Sequence, residues 1–403
     1  MPVLTRRNLL TGFLGVGAAG TLASTPVLNW DDVLLAADDR PLKSDTSILV
    51  LITLYGGNDG LNTVIPFDND DYHDARPDLS YEEDEVVKLD GQYGLNPGLK
   101  GMAGMFRDGN LAIVRGVGYP ESDRSHFRSM DIWQSASIEN SVTTGWVGRW
   151  LDFNGGDPLA ALHLGPLVPT LALGDRTTAA VLPSDAGFST ESAKLLKTLS
   201  KAHPDDTPAM KSVSASYRAA TRVDSQFEAL LAEGGPLSKI KPGHNGLADQ
   251  LDSVVACIAA DVPTRVYSVE LGGFDTHADE KGRQEKLLRT LDKAMTTFMK
   301  KIAGTDREKD IVVMAYSEFG RRVKANSSDG TDHGTAGPVF IAGSKVKGGF
   351  HGDDPSLTDL KDGDLKVTTD FRDVYNELLV RGLETDPEPV LGKKRKSIGF
   401  LKA

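Results

Sequence analysis

Two stretches constrain this chain most: SILVLITLY at 47–55 and DIVVMAY at 310–316, both unbroken apolar runs rich in branched residues. A strand with one wet face alternates apolar and polar residues, whereas a strand buried on both faces reads as a continuous apolar run. LAIVRGV at 111–117 and further strands at 265–271 and 338–342 extend the series. Helical patterns fall between and after them, at 99–107, about 122–135, about 245–261, 279–303 and 370–382. Alternating strand and helix predicts an α/β fold, a three-layer α/β/α sandwich around a largely parallel central sheet. Residues 160–235 break the rhythm with short β-like pieces and then mostly helical patterning from 190, and read as an insertion beside the active face.

The 403-residue chain is 25% charged and 39% hydrophobic, ordinary values for a globular protein with a sizeable core. Its net charge of -12 argues against sequence-independent nucleic-acid binding, which needs a basic footprint. The single cysteine, Cys257, excludes an internal disulfide framework and Cys-rich metal sites, and its apolar neighbours read as those of a buried structural thiol. Arg6 and Arg7 precede a short apolar stretch from Phe13 to Ala23, the signature of a Tat export signal. Residues 1–37 are therefore read as a signal peptide and linker, and 38–403 as a single α/β domain. The expected mature protein passes through the Tat translocase already folded, has no membrane span, and resides in the bacterial periplasm or outside the cell. The basic tail Lys393–Lys396 reads as a solvated end.

Ligands of a parallel α/β sheet bind beyond the carboxyl ends of its strands, and four candidate strands deliver reactive side chains there. The first leads to Asn58 and Asp59, the second to Arg124, Ser125 and His126. The third leads to Asp275 and His277, and the fourth to Ser317, Glu318 and Arg321, followed by Asp332 and His333. Asp275 and His277, two apart in an extended segment, share one face and make half of an N/O metal site. Asp332-His333 in a Gly-rich loop either adds ligands or caps a turn. Asn58-Asp59-Gly60 is also a strong turn tripeptide. Ser125 is either a helix cap or a nucleophile favoured by the helix dipole. Glu318 and Arg321 can form an ion pair at the strand end.

The ordered series LITLYGGNDGLNTVIP, SDRSHF, GGFDTH, SEFGR, TDHG and TTDFRDV closely resembles the Tat-exported bacterial family of unknown function numbered 1501. That family in turn resembles the alkaline phosphatase and sulfatase superfamily, and the match spans about residues 47–385. The resemblance implies an alkaline-phosphatase-like fold and one or two divalent ions (Zn, Mn, Fe or Ca). It also implies a small anionic ester as substrate. Asp59 matches the metal ligand after the first strand, and Ser125 the nucleophile at a helix start. Asp275, His277 and His333 match the ligands of the other metal. Ser317-Glu318 stands where alkaline phosphatases carry an Asp-His pair, which makes the second site weaker or oxygen-rich, with Glu318 or Asp332 as a ligand. Arg124 or Arg321 would hold non-bridging oxygens, and His126 would act on the leaving group or brace the loop. The expected function is a metal-dependent hydrolase of phosphate or sulfate esters, and the alternative is a non-catalytic binding or assembly factor that keeps the fold.

Overall fold

The computed structural model describes residues 30–138, 142–165, 168–182 and 246–402. The export signal and the 183–235 part of the expected insertion therefore lie outside the described residues. Two compact units emerge, one of residues 44–141 and 268–403, the other of residues 1–43 and 142–267.

In the first unit, strands β1 (Ile48–Leu54), β2 (Leu111–Gly118), β3 (Val266–Leu271, which begins in the other unit), β4 (Ile311–Ser317), β5 (Gly337–Ala342) and β6 (Gly349–His351) lie in the order β6-β2-β5-β4-β1-β3. All seven residues of β1 are buried, which is why its sequence shows no alternation. Each fully buried Leu, Ile or Val there contributes roughly 1.5–3 kcal/mol. β1 pairs in parallel with β4 from Ile48↔Ile311 to Leu54↔Ser317, so both strands end at one edge. β6 is likewise parallel to β2. The sheet is mostly parallel, but β5 runs antiparallel to both β2 and β4.

Helices α1 (Lys100–Arg107), α2 (His126–Ser135), α3 (Glu280–Ile302) and α4 (Phe371–Glu377) accompany these strands. α2 begins later than its sequence pattern suggests, because Ser125 is its cap. The acidic 68–92 stretch holds a short helix, Asp70–Ala75, and the strand Val87–Lys88 of a small three-stranded sheet. The C-terminal tail also departs from expectation. Arg395 is nearly buried, donating to Asp373 at 2.8 Å and to Asp370 at 2.6 Å.

The other unit contains the helices Trp30–Asp39, Trp146–Phe153 and Leu247–Ala259 and a parallel strand pair, Ala161–Leu164 with Ala180–Leu182. Trp146 and Trp150 fill its interior. Cys257 is fully buried, and burial pushes its thiol above the ordinary range. Among the described residues, no helix is long and apolar enough to cross a membrane.

Candidate metal centre

The ends of β1, β3 and β4, the start of α2 and the loop before β5 bring His126, Asp275, His277, Glu318, Arg321, Asp332 and His333 together. One oxygen, Asp275 Oδ1, is the focus. His277 Nε2 lies 3.0 Å from it, His333 Nε2 3.2 Å and His126 Nε2 3.4 Å. The Nε2 atoms of His277 and His333 are themselves 2.9 Å apart. His126 Nε2 is buried and makes no hydrogen bond.

What turns the three rings this way is an oxygen behind each one. His126 Nδ1 meets Glu318 Oε1 at 2.8 Å, His277 Nδ1 meets Asp332 Oδ1 at 3.2 Å, and His333 Nδ1 meets the Arg124 carbonyl at 2.7 Å. An acceptor at Nδ1 places the proton there and leaves a lone pair on Nε2, the arrangement that orients metal-bound histidines. Two such lone pairs at 2.9 Å repel unless a proton or cation sits with them. Tetrahedral zinc with ligand bonds of about 2.0–2.1 Å needs donor atoms roughly 3.3 Å apart, close to the spacings observed. His126, Asp275 and His333 offer one donor atom each, all within 4.8 Å of one another. The donor set fits a cation.

Phe319, buried, packs in tilted contact against the rings of His126 and His333 at centroid distances of 4.9 and 5.0 Å. It gives the cluster an apolar floor that lowers the local dielectric. The Glu318 hydrogen bond holds the His126 imidazole above its ordinary pKa. Burial pushes His333 below its own. Burial also opposes ionisation of Asp275, but Arg321 and His333 outweigh it and hold the carboxylate well below the usual range.

A glycine at the end of β1 fixes this geometry. Gly56 has φ of +118°, and a Cβ there would lie 2.4 Å from the Asp275 backbone nitrogen. Its N–H also donates to Glu318 Oε1 at 2.9 Å. Gly56→Ala is therefore expected to displace Asp275 and Glu318 together. Equilibrium dialysis against zinc should show a clear loss of affinity in a variant whose unfolding midpoint also falls.

A family model described as "Protein of unknown function (DUF1501)" matches residues 185–390, just over half of the chain. The chain belongs to this family. No curated protein matches it. Solved structures similar to this DUF1501 member include a protein in the alkaline phosphatase superfamily from Vibrio parahaemolyticus, with 10% identity, 97% of this chain and 79% of that one covered, and a TM-score of 0.40. The C-terminal periplasmic domain of EcEptC from Escherichia coli, in complex with Zn, gives 9% identity, 76% and 77% coverage and a TM-score of 0.39. Thermus thermophilus alkaline phosphatase gives 10%, 73% and 64% coverage and 0.35.

The DUF1501 chain places the remaining expected residues differently. Asp59 is fully buried, and its two oxygens accept from Arg76 Nη1 and Nη2, the latter at 3.0 Å. That guanidinium engages both oxygens a metal would need. Arg321 is also fully buried. It donates to the carbonyls of Gly56, Gly57, Phe274 and Thr331 as well as to Asp275 Oδ1 at 2.7 Å. It therefore clamps the strand ends instead of reaching for a substrate oxygen. Arg124 is bound through its side chain to the buried Asp364. Glu318 and Asp332, expected as ligands, stand behind the histidines as their acceptors. Ser125 is exposed and caps α2 with a long 3.5 Å contact to the Arg128 nitrogen, while both its neighbours, Arg124 and His126, touch the cluster.

Sequence reasoning missed the buried group around Asp59. Glu280 is fully buried, feels the charge of Asp59 and accepts from Thr331 Oγ1 at 2.5 Å. Burial, reinforced by the Asp59 charge, pushes the Glu280 carboxyl up to about 9. Burial also disfavours the Asp59 carboxylate, but Arg76 keeps it ionised. A carboxyl with a raised folded pKa contributes stability in full below its unfolded value near 4.5, and that stability is lost as pH rises toward about 9. Thermal unfolding followed from pH 5 to pH 9 should show a falling midpoint, and Glu280→Gln should flatten the fall. An equal slope in both proteins would remove Glu280 as its source.

Proposed function

We propose that this chain is an exported metal-dependent hydrolase of phosphate or sulfate esters, with one divalent cation at His126, Asp275, His277 and His333 and with Ser125 as nucleophile. The observation that carries the reading is the convergence of three Nε2 lone pairs on one carboxylate oxygen, each ring braced from behind. A nitrogen-rich donor set of this kind suits zinc first and iron or manganese next, whereas calcium prefers oxygen. The twin arginines Arg6 and Arg7 support delivery by the Tat translocase, which carries folded and loaded proteins, to the periplasm or the exterior.

Bound there, the cation would supply the positive charge that favours an ionised hydroxyl and a departing oxygen anion. Ser125 stands at the start of a ten-residue helix, whose free amides and dipole favour both an ester anion and an attacking alkoxide. Asp123 accepts from Ser125 N at 2.7 Å and fixes the backbone there. Attack of Ser125 Oγ on phosphorus or sulfur would release the alcohol and leave an esterified serine. Water would then release phosphate or sulfate and restore the hydroxyl. Glu318 and Asp332 would hold His126 and His277 in their tautomers throughout.

A second reading, a non-catalytic binding or assembly factor with a cation site, draws on the capping contact of Ser125 and on the pairing of Asp59 with Arg76. Zinc-loaded wild type and Ser125→Ala, assayed with 4-nitrophenyl phosphate and 4-nitrophenyl sulfate, separate the two. Turnover abolished in Ser125→Ala at equal metal content supports the hydrolase. Zinc-loaded wild type without turnover on either ester, or turnover that survives in Ser125→Ala, counts against it.

A further inference from the structure

A cavity of about 870 Å³ is lined by the segment that feeds α2. Arg124 links it to the histidine cluster: its carbonyl accepts from His333 Nδ1, and its side chain lines the cavity. Thr335, two residues after His333, lines it too. The volume lies within the range of small-molecule sites, roughly 300–1,000 Å³.

The chemistry of the walls narrows the occupant. Of eighteen lining residues, five are basic and six acidic, so the cavity carries almost no net charge. Most of these charges already hold one another. Asp364, fully buried, accepts from Arg124 and Arg322; Arg395 spans Asp370 and Asp373; Lys361 pairs with Glu121. An ionic ligand that engaged one of these paired groups would displace its partner and leave it unmatched, which is costly where the partner is buried. A hydroxyl group need displace nothing, because a fixed guanidinium–carboxylate pair offers a donor and an acceptor side by side. Pro120, Leu365 and Val367 add apolar surface of the kind that meets the C–H face of a ring.

We propose that this cavity binds an uncharged, hydroxyl-rich group, a sugar or polyol, and that this group is the alcohol portion of the ester handled at the histidine cluster. The second half of this statement rests on the hydrolase reading; the first half does not. The C-terminal segment, which looks like a solvated end, becomes a wall of the site through Arg395.

The test uses the full-length protein on a microarray of neutral mono- to tetrasaccharides, with inorganic sulfate as the anionic competitor. Wild type and His277→Ala should bind the same neutral sugars equally. Ser122→Trp, which fills the cavity, should weaken that binding about tenfold. Lys366→Trp, placed at a half-exposed position on another wall, should do the same, so the result does not depend on one variant folding. Absence of sugar binding by folded wild type, binding indifferent to both tryptophans, or competition by sulfate would overturn the pocket assignment. Sugar binding that depends on Ser122 in a protein hydrolysing no sugar phosphate or sulfate would retain the pocket and remove its link to the ester.

Discussion

Alanine at His333 is expected to abolish stoichiometric zinc binding, with a loss of affinity well beyond a hundredfold. His333 Nε2 lies 3.2 Å from Asp275 Oδ1 and 2.9 Å from His277 Nε2, so its removal takes one donor atom out of the set. Partners that merely orient metal ligands are worth about 10–100-fold in affinity, and a ligand itself is worth more. Glu318→Gln supplies the graded comparison. It keeps an oxygen behind His126 Nδ1 but removes the charge that holds this imidazole's pKa up, so affinity should fall within that 10–100-fold window. Competition with a chromogenic chelator measures both variants. Equal affinities for His333→Ala and wild type would remove the cluster as the binding site.

The second large effect concerns stability rather than chemistry. Arg76 is fully buried against Asp59, and it also donates to the carbonyls of Arg322 and Val323, both at 2.8 Å. Arg76→Ala leaves the Asp59 charge without a partner beside a second carboxyl, Glu280. Removing one member of a buried ion pair costs about 3–5 kcal/mol, a large fraction of the roughly 5–15 kcal/mol that holds a typical domain folded. The double replacement Arg76→Met with Asp59→Leu removes both charges and should recover much of the loss. Urea unfolding of the three proteins is the measurement. A single variant as stable as wild type would mean that Asp59 is not held by Arg76 in solution.

These residues also show what a sequence can and cannot display. The strands β1 and β4 were legible because burial on both faces leaves an unbroken apolar run. Asp275, His277 and His333 were legible because each sits in a short tripeptide directly beyond a strand or before the next. The antiparallel course of β5 left no such trace, since strand direction depends on how the preceding loop returns the chain and not on the residues within the strand. Arg76 and Glu280 each look like surface charge in their local context, and only pairing across 17 residues in one case and 51 in the other gives them their roles. His126 was ambiguous for the same reason: the oxygen that orients it, on Glu318, is 192 residues away. Arg395 shows the converse, a basic tail residue drawn inward by acids at the start of α4.

The central claim is that one cation belongs among His126, Asp275, His277 and His333, while Arg76 fills the corresponding place at Asp59. Crystals of the zinc-loaded protein, measured at the zinc absorption edge, test both halves in one anomalous difference map. The account predicts a single peak bonded to the Nε2 atoms and to Asp275. A map with no peak there, or with one beside Asp59, would contradict it.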